Sequence, residues 1–277
     1  MRIRTVDAFT DRPWTGNPAA VVLLDEDRFR SGFPADDRLQ RLAAEMNLSE
    51  TAYARPLTGD TGADWALRWF TPAAEVDLCG HATLATAHLL HSDGATSGTV
   101  RFRTRSGVLT ARTGPGGEIT LDFPTAPLTP ADTPPARIAA ALGADVVTAH
   151  DTGPLGDLLV EVADEHTVRG LCPDDTALRR LPHRGVIVTA GADAESSGYD
   201  YVSRMFAPAV GIPEDPVTGS AHTALAPLWS GRLGRGSLTG LQCSARTGSV
   251  RTTLRGDRTE LTGTAVTVMD ARLLAQL

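Results

Sequence analysis

Short apolar runs bounded by glycine and proline dominate the sequence, a pattern typical of a protein built mostly from short strands. The apolar residues of Asp36–Met46 instead recur at helical spacing and predict a helix capped by Asp36 or Asp37. Another helix is predicted near Pro135–Leu142, after a proline-rich stretch over 124–135 that is typical of a linker. The predicted strands are Arg2–Phe9, Ala19–Leu24, Glu50–Ala54, Ala66–Phe70, Thr99–Thr104, Val108–Arg112, Glu118–Phe123, Leu158–Val162, Val186–Thr189, Val202–Phe206, Leu241–Ser244, Ser249–Leu254, Thr259–Leu261 and Thr264–Met269.

Two further segments are apolar around nearly the whole helical circumference, as expected of helices that are buried on most sides. They cover 80–91 and 219–230, and they open with the similar sequences Gly80-His81-Ala82-Thr83 and Gly219-Ser220-Ala221-His222. We therefore expect an α+β fold of two similar halves, each a barrel-like, mostly antiparallel sheet around one central helix. The predicted halves are 1–115, with 264–277 as a candidate strand to complete it, and 116–263.

All 26 basic residues are arginine, and the sequence contains no lysine. Chemistry that needs a lysine amine is therefore excluded, including Schiff-base catalysis and the lysine-containing phosphate loop. The 33 acidic residues give a net charge of −7. Because the sequence also has no basic run, we expect no nucleic-acid partner.

Several further patterns are missing from the sequence. No stretch reaches the ~20 apolar residues of a membrane span, and no apolar segment of a secretory signal follows Met1. The three cysteines have no metal-binding spacing, no Gly-x-Gly-x-x-Gly follows a strand, and the sequence has no dense cluster of metal ligands. We therefore expect a cytoplasmic protein with no membrane span, no metal and no organic cofactor.

Glu50 is the first candidate for acid–base chemistry. It opens a predicted strand whose next residues are small or apolar, and partial burial would give its carboxyl a pKa suited to proton transfer. The alternative is an ordinary solvated glutamate at a strand edge. The helix starts at Gly80 and Gly219 are candidates for binding a carboxylate through their free N–H groups, or for close packing alone.

Three side chains at the helix starts have more than one possible role. His81, in a first helical turn, is expected to stay neutral and to donate to a substrate or hold an acid. Cys79 is either a thiol base or a small buried apolar residue. The matching stretch Pro216–Gly219 has no second thiol, which disfavours a two-thiol racemase. His222 is more typical of a core histidine than of a catalyst.

Four motifs, in order along the chain, resemble one family. They are Asp7-Ala8-Phe9-Thr10 with Gly16-Asn17-Pro18, Asn47-Leu48-Ser49-Glu50-Thr51-Ala52, Asp77-Leu78-Cys79-Gly80-His81-Ala82-Thr83, and Glu214-Asp215-Pro216-Val217-Thr218-Gly219-Ser220-Ala221-His222. Together they resemble the PhzF-like isomerases of phenazine biosynthesis, which have the diaminopimelate epimerase-like fold.

The resemblance implies a site between the two halves and a reaction. Glu50 matches the family's proton-transferring glutamate. The residues that match substrate-binding positions are His81, Asp215, Ser220, Gly80 and Gly219. The implied reaction moves a proton and a double bond in a small unsaturated amino or hydroxy acid, such as a dihydro-hydroxyanthranilate. It needs neither cofactor nor metal, and the implied assembly is a homodimer.

Two other functions stay open from the sequence. The chain could be a racemase, epimerase or dehydratase that uses Cys79 as a single thiol base. It could also be a non-catalytic protein that binds a small acid, because a family fold does not prove turnover.

Overall fold

The computed structural model describes residues 1–59, 62–194, 198–275 and 277. The chain divides into two compact units, one of Met1–Asp122 with Thr262–Leu277 and the other of Phe123–Leu261. The first unit is thus completed by the end of the chain. That the two units are copies of one another stays a prediction.

Short strands outnumber helices in both units. The α-helices are α1 (Glu26–Phe29), α2 (Asp36–Met46), α3 (Gly80–Ser92), α4 (Pro135–Leu142), α5 (Glu165–Gly170), α6 (Asp175–Leu178) and α7 (Ala221–Leu233). The strands are β1 (Arg2–Ala8), β2 (Asn17–Leu23), β3 (Glu50–Pro56), β4 (Trp65–Phe70), β5 (Glu75–Val76), β6 (Thr99–Thr104), β7 (Gly107–Thr113), β8 (Ile119–Pro124), β9 (Thr129–Pro130), β10 (Thr148–Asp151), β11 (Asp157–Glu161), β12 (Gly185–Gly191), β13 (Tyr201–Ala207), β14 (Ile212–Asp215), β15 (Ser237–Gln242), β16 (Gly248–Arg255), β17 (Arg258–Gly263) and β18 (Ala265–Arg272). Within the described part of the chain, every helix is too short or too polar to cross a membrane.

Helix α2 has the bounds that its apolar spacing predicts, but its N-terminus differs from the prediction. The N-cap is Ala35, and no side chain caps the helix. The Asp36 carboxylate instead accepts a hydrogen bond from Arg68 at 2.8 Å, so it is engaged away from the helix end.

Two stretches of the second unit also differ from the sequence prediction. The predicted linker over 124–135 contains β9, which pairs with β10. The strand predicted at Leu241–Ser244 begins earlier and ends at Gln242. Its buried side includes a glycine and a glutamine, so the apolar pattern marks only part of it.

One mixed sheet frames the first unit. Its strand order is β18-β1-β2-β3-β4-β6-β7-β8, with parallel pairs at β2–β3 and β4–β6 and antiparallel pairs elsewhere. Strand β5 adds to β4. Helix α3 contacts β18 at one end of this order and β7 near the other end. The sheet therefore curls around α3.

Burial of α3 follows from its composition. Small and apolar residues lie on every face, and its buried positions are His81–Ala87, Leu89 and Leu90. A helix without a polar face is stable in water only if other elements cover it on all sides. Strands β1, β2, β3, β7 and β18 supply that cover, while α2 packs against β3 and β4.

The second unit has a mixed sheet of order β9-β10-β11-β12-β13-β15-β16, with parallel pairs at β11–β12 and β13–β15. Alternate residues of its strands face opposite sides, as the two-residue period of a strand requires. Leu158 and Val160 pack into the cluster that contains residues of α4, α5 and α6, while Leu159 and Ile187 pack into the cluster of α7. Both faces of this sheet are therefore covered.

Tyr201 is the centre of the α7 cluster. Its ring stacks on Trp229 with a centroid distance of 5.8 Å, and its hydroxyl is 2.9 Å from Nδ1 of the fully buried His222. Trp229 Nε1 donates to the Thr189 hydroxyl at 2.9 Å. Gly240 faces the same tyrosine ring, where a Cβ would overlap it. These contacts hold α7, β12, β13 and β15 together and make His222 a core histidine.

The buried His222 should make the free energy of unfolding depend on pH. Burial lowers its pKa from 6.5 to about 3. Between these values the unfolded state binds more protons than the folded state, so stability falls as the pH falls. Urea unfolding of the wild type and of His222→Gln at pH 7 and pH 5 should show that the stability advantage of the wild type shrinks by about 2 kcal/mol at the lower pH.

The exposed His166 offers a matched control. The difference between the wild type and His166→Gln should change little between the two pH values. An unchanged difference for His222→Gln as well would contradict the buried, neutral state of that ring.

Candidate active site

Glu50 is the first residue of β3, close behind the end of α2. Asn47 ends that helix in the left-handed region, with φ of 50°. Strand β3 then runs parallel to β2, with Glu50 opposite Ala19. Just before it, the Ser49 hydroxyl donates to the side-chain oxygen of the fully buried Asn17 at 3.2 Å. The Glu50 side chain is only 13% exposed, so it is not an ordinary solvated glutamate.

The start of α3 brings two more chemical groups to this place. Cys79 precedes the helix in an extended conformation, Gly80 begins the helix, and His81 follows in the first turn. The Thr83 hydroxyl donates to the Cys79 carbonyl at 2.6 Å and fixes this turn. Both Cys79 and His81 are buried.

The His81 ring lies between the carboxylate and the thiol. Its Nε2 is 3.1 Å from Glu50 Oε2, and its Nδ1 is 3.6 Å from Cys79 Sγ. Among the described residues, the buried Nε2 has no partner with full hydrogen-bond geometry, so its contact with Glu50 is close but not well aligned. Catalytic hydrogen bonds of free enzymes are often loose in this way and tighten when a substrate binds.

Burial determines the charge of the His81 ring. It lowers the pKa of His81 from 6.5 to about 3. At neutral pH the ring is therefore uncharged, with one N–H and one lone pair. A neutral imidazole is able to donate to a carboxylate on one side while it accepts from a thiol on the other.

Arginine–carboxylate pairs hold the segment that leads into Cys79. Arg68 binds Glu75 through two hydrogen bonds of 2.7 Å. Arg105 contacts Glu75 at 2.9 Å and Asp77 at 3.1 Å, and the Ser106 hydroxyl donates to the Asp77 carbonyl. Bidentate arginine pairs are geometrically specific. They restrict the backbone immediately before the α3 start.

The three groups are also of kinds that bind zinc. One ligand atom each of Glu50, Cys79 and His81 lies within 4.8 Å of the others. However, an ion bound by all three residues would have the carboxylate oxygen and the thiolate sulfur near the same nitrogen of the His81 ring. Here Nε2 faces Glu50 and Nδ1 faces Cys79, so the two other groups lie nearest to different nitrogens of the ring.

In the second unit, Gln242 holds the segment that contains Asp215. Its side-chain oxygen accepts from the Thr218 N–H at 2.8 Å, and its amide donates to the Asp215 carbonyl at 2.7 Å. Thr218 in turn donates its hydroxyl to the Asp215 carboxylate. Gln242 is fully buried. The sequence did not indicate this residue, although a lone glutamine among apolar strand residues is a usable signal.

Helix α7 begins at Ala221, two residues after the predicted start at Gly219. The N–H of Ala221 donates to Thr218 and that of His222 to Gly219, so the chain enters the helix through tight three-residue turns. Ser220 is half-buried and is the N-cap residue, without a side-chain capping bond. Gly80, in contrast, is the first residue of its helix, as predicted.

The structure thus brings Glu50 and His81 together and adds Cys79 to them. Asp215, Gly219 and Ser220 belong to the second unit. Their placement around one substrate with Glu50 stays a prediction.

Comparison with solved structures confirms the predicted fold class. A hydroxyproline epimerase from Agrobacterium vitis matches 98% of this chain and 91% of its own, with a TM-score of 0.61 at 16% identity. A PhzF-family protein of Enterococcus faecalis matches 98% of this chain and 99% of its own, with a TM-score of 0.86 at 39% identity. The fold is α+β and of the diaminopimelate epimerase-like class.

The chain belongs to the PhzC-PhzF family of phenazine biosynthesis-like proteins, whose model matches residues 6–271. An uncharacterized isomerase of Pseudomonas aeruginosa is 46% identical over 274 residues, which cover 99% of this chain and 98% of that protein. Several relatives carry the name isomerase, and this confirms the expectation that the chain is an enzyme of the isomerase class.

The Gln242 contacts allow a stability prediction. Gln242→Leu removes partners from the buried Thr218 N–H and from the Asp215 carbonyl. Each buried polar group left unsatisfied costs ~1–3 kcal/mol. Urea denaturation should therefore show a loss of at least about 2 kcal/mol in the free energy of unfolding.

Gln40 serves as the control, because it is half-buried and makes a single 2.9 Å bond to the Thr71 carbonyl. Gln40→Leu should cost less than ~1 kcal/mol. Equal losses in the two variants would mean that Gln242 does not hold the Asp215 segment.

Proposed function

We propose that this protein is a cofactor-independent isomerase in which Glu50 moves a proton between two carbons of a small unsaturated amino or hydroxy acid. The double bond shifts as the proton moves. The observation that carries this proposal is a nearly buried carboxylate, 13% exposed, with a neutral imidazole 3.1 Å away. Membership of the PhzC-PhzF family supports it.

A single carboxylate suffices for this reaction. Glu50 takes a proton from an activated carbon as a base and returns it as an acid to another carbon on the same face of the substrate. Between the two steps the carboxyl stays protonated, and in D₂O it exchanges that proton for a deuteron before it delivers one to the second carbon. Burial lowers the pKa of His81 and makes its ring a poor base, so the ring does not remove the proton from the carboxyl.

The substrate-binding residues are proposed from their match to the family motifs. Gly80 and Gly219 lie at or just before helix starts, where backbone N–H groups suit a carboxylate. Asp215 and Ser220 would bind the amino or hydroxyl group of the same molecule. His81 would contact the substrate next to Glu50.

The substrate class is proposed from the resemblance to the family. A small acid with an allylic or enamine-type proton fits, such as a dihydro-hydroxyanthranilate or another natural-product intermediate. We propose a cytoplasmic homodimer in secondary metabolism as the context.

A second candidate function has one observation in its favour. Cys79 is buried, and its Sγ is 3.6 Å from His81 Nδ1. In this position a thiol could act as the base of a racemase, epimerase or dehydratase. A non-catalytic acid-binding protein is the third candidate, and the same experiments separate all three.

The central test is Glu50→Gln. The amide keeps the shape of the side chain but cannot exchange a proton, so turnover should fall by the ~10²–10⁴-fold that positioned acid–base catalysis supplies. The loss should appear in kcat, with little change in Kd. The measurement is deuterium incorporation from D₂O into a dihydro-hydroxyanthranilate and into a panel of unsaturated amino and hydroxy acids.

Glu45→Gln, at an exposed position of α2, is the matched control and should leave incorporation unchanged. Incorporation that survives Glu50→Gln and is lost in Cys79→Ser would favour the thiol-base reaction. Ligand binding without incorporation in any variant would favour the binding protein.

Asp215→Asn tests the second unit's part in the proposed site. A residue that binds the substrate's polar group affects KM as well as kcat, so we expect KM to rise severalfold. The exposed Asp145→Asn is the control in the same unit. If kcat and KM equal those of the wild type, Asp215 does not bind the substrate.

A further inference from the structure

The strand that ends at Asp215 has little backbone pairing to fix its register. Among the described residues, β14 pairs with β13 at two positions, with an irregularity between them. Asp215 lies opposite Met205, and Ile212 lies opposite Ala207. A step of two residues on β13 is thus opposite a step of three on β14, the pattern of a β-bulge. Pro213 lies within this step and has no N–H to donate, so the backbone specifies the register of β14 only weakly.

The register of β14 decides where the Asp215 carboxylate lies. Successive side chains of a strand point to opposite faces, so Glu214 and Asp215 lie on opposite sides of β14. A slip by one residue would exchange the two faces. An interaction that holds the Glu214 side chain on its own side therefore also keeps Asp215 on the other side.

Arg204 of β13 makes such an interaction. Its Nε donates to Glu214 Oε1 at 2.7 Å, and its Nη2 donates to Oε2 at 2.9 Å. The side chains of Arg204 and Glu214 are 13% and 24% exposed, so solvent screens the pair weakly. A bidentate pair of this kind fixes the orientation of the carboxylate as well as its distance.

Arg204 is itself held by other contacts. Its Nη1 donates to the Leu171 carbonyl at 2.7 Å and to the Val168 carbonyl at 3.3 Å, at the end of α5. Its Cζ lies over the Phe206 ring, 4.8 Å from the centroid. The planar guanidinium group makes all these contacts at once, which the single ammonium of a lysine does not. Glu214 is therefore bound to a group with a fixed position.

The first unit has the same combination of contacts before its own buried helix. Arg68 binds Glu75 through two bonds of 2.7 Å, and its Cζ lies 5.1 Å from the centroid of the Phe70 ring. Strand β5, which begins with this glutamate, is two residues long. Glu75 and Glu214 each stand five residues before the glycine of the helix-start motif. In both units, a bidentate pair thus holds a short strand where the backbone pairing is limited.

We propose that Arg204 is a positioning residue that sets the register of β14 through Glu214 and thereby fixes the face on which the Asp215 carboxylate lies. The inference rests on the proposed role of Asp215 in binding the substrate. Gln242 binds the backbone of Asp215 and of the turn after it, whereas Arg204 acts on the strand that leads to it. Loss of the pair should therefore affect KM through Asp215, in addition to any effect on stability.

Removing both charges separates positioning from stability. Arg204→Met alone leaves a largely buried carboxylate without its arginine, so the variant should unfold at a lower urea concentration than the wild type. In Arg204→Met/Glu214→Met neither charge remains, and the midpoint should return toward that of the wild type. The bidentate bonds are still absent, so KM for a dihydro-hydroxyanthranilate should stay raised severalfold, as in Asp215→Asn. A wild-type KM in this double variant would overturn the proposal.

NMR of the free protein reads the register without a substrate. In the wild type, backbone NOEs between Met205 and Asp215 should report that these residues lie opposite each other. In Arg204→Met/Glu214→Met these NOEs should weaken, and NOEs from Met205 to the neighbours of Asp215 should appear. Wild-type NOEs at full strength in the double variant would overturn the proposal, whatever the stability of that variant.

The matched control removes another bidentate pair of the same unit. Arg184 binds Asp157 with bonds of 3.0 and 2.6 Å, and neither residue is on β13 or β14. Arg184→Met/Asp157→Leu should change neither KM nor the NOEs between Met205 and Asp215. If this control raises KM as much as the loss of the Arg204 pair does, the effect is a general one and the proposal is wrong.

A combined variant tests whether Arg204 acts through Asp215. Adding Asp215→Asn to Arg204→Met/Glu214→Met should raise KM no further, because both changes disable the same carboxylate. Additive increases in KM would contradict the proposal. If Asp215→Asn alone leaves KM unchanged, the proposed role of Asp215 fails, whereas the NOE measurement still decides whether Arg204 sets the register. The two failures are therefore distinguishable.

Discussion

The absence of a polar face on α3 is the constraint on which the first unit depends. A helix that is buried along nearly its whole length forces the sheet to curl around it, because no side is left for water. His81 enters the interior with this helix. A charged ring would lose its hydration there at a large cost in free energy, so the ring is neutral. The groups nearest to its nitrogens are then other buried side chains. The contacts to Glu50 and Cys79 are a direct result of that burial.

The local pattern of apolar and polar residues predicted most helices and strands. It predicted few of the contacts between residues far apart in the sequence. The spacing of apolar residues predicted α2 with its observed bounds, and Glu50 does begin a strand. The contact of Glu50 with His81, however, joins residues far apart in sequence and requires both the β2–β3 pairing and the enclosed α3. Only the resemblance to a family indicated it. The start of α7 was predicted two residues early because tight turns precede it, and Gln242 was missed because its polar side chain is satisfied inside the second unit.

The two units hold their proposed functional residues in different ways. In the first, side chains contact side chains, with the His81 ring between an acid and a thiol. In the second, Gln242 binds the backbone of Thr218 and Asp215, so the backbone of the turn is fixed while the Thr218 hydroxyl holds the carboxylate. A site that must move a proton over a short distance gains from the first arrangement, since small shifts of a ring change which atom donates. A binding group gains from the second, since a rigid backbone keeps its position.

The ring of Tyr201 covers Gly240, and this contact has a consequence for how the sequence is able to change over evolutionary time. A side chain at position 240 fits only if the aromatic ring at 201 becomes smaller or shifts, because the ring occupies the space of the missing Cβ. The same ring stacks on Trp229, so a smaller residue at 201 would in turn leave a gap beside the indole. Substitutions at these three positions are therefore tolerated together rather than singly. Among related sequences, the three positions should covary even though they lie on different elements of the fold.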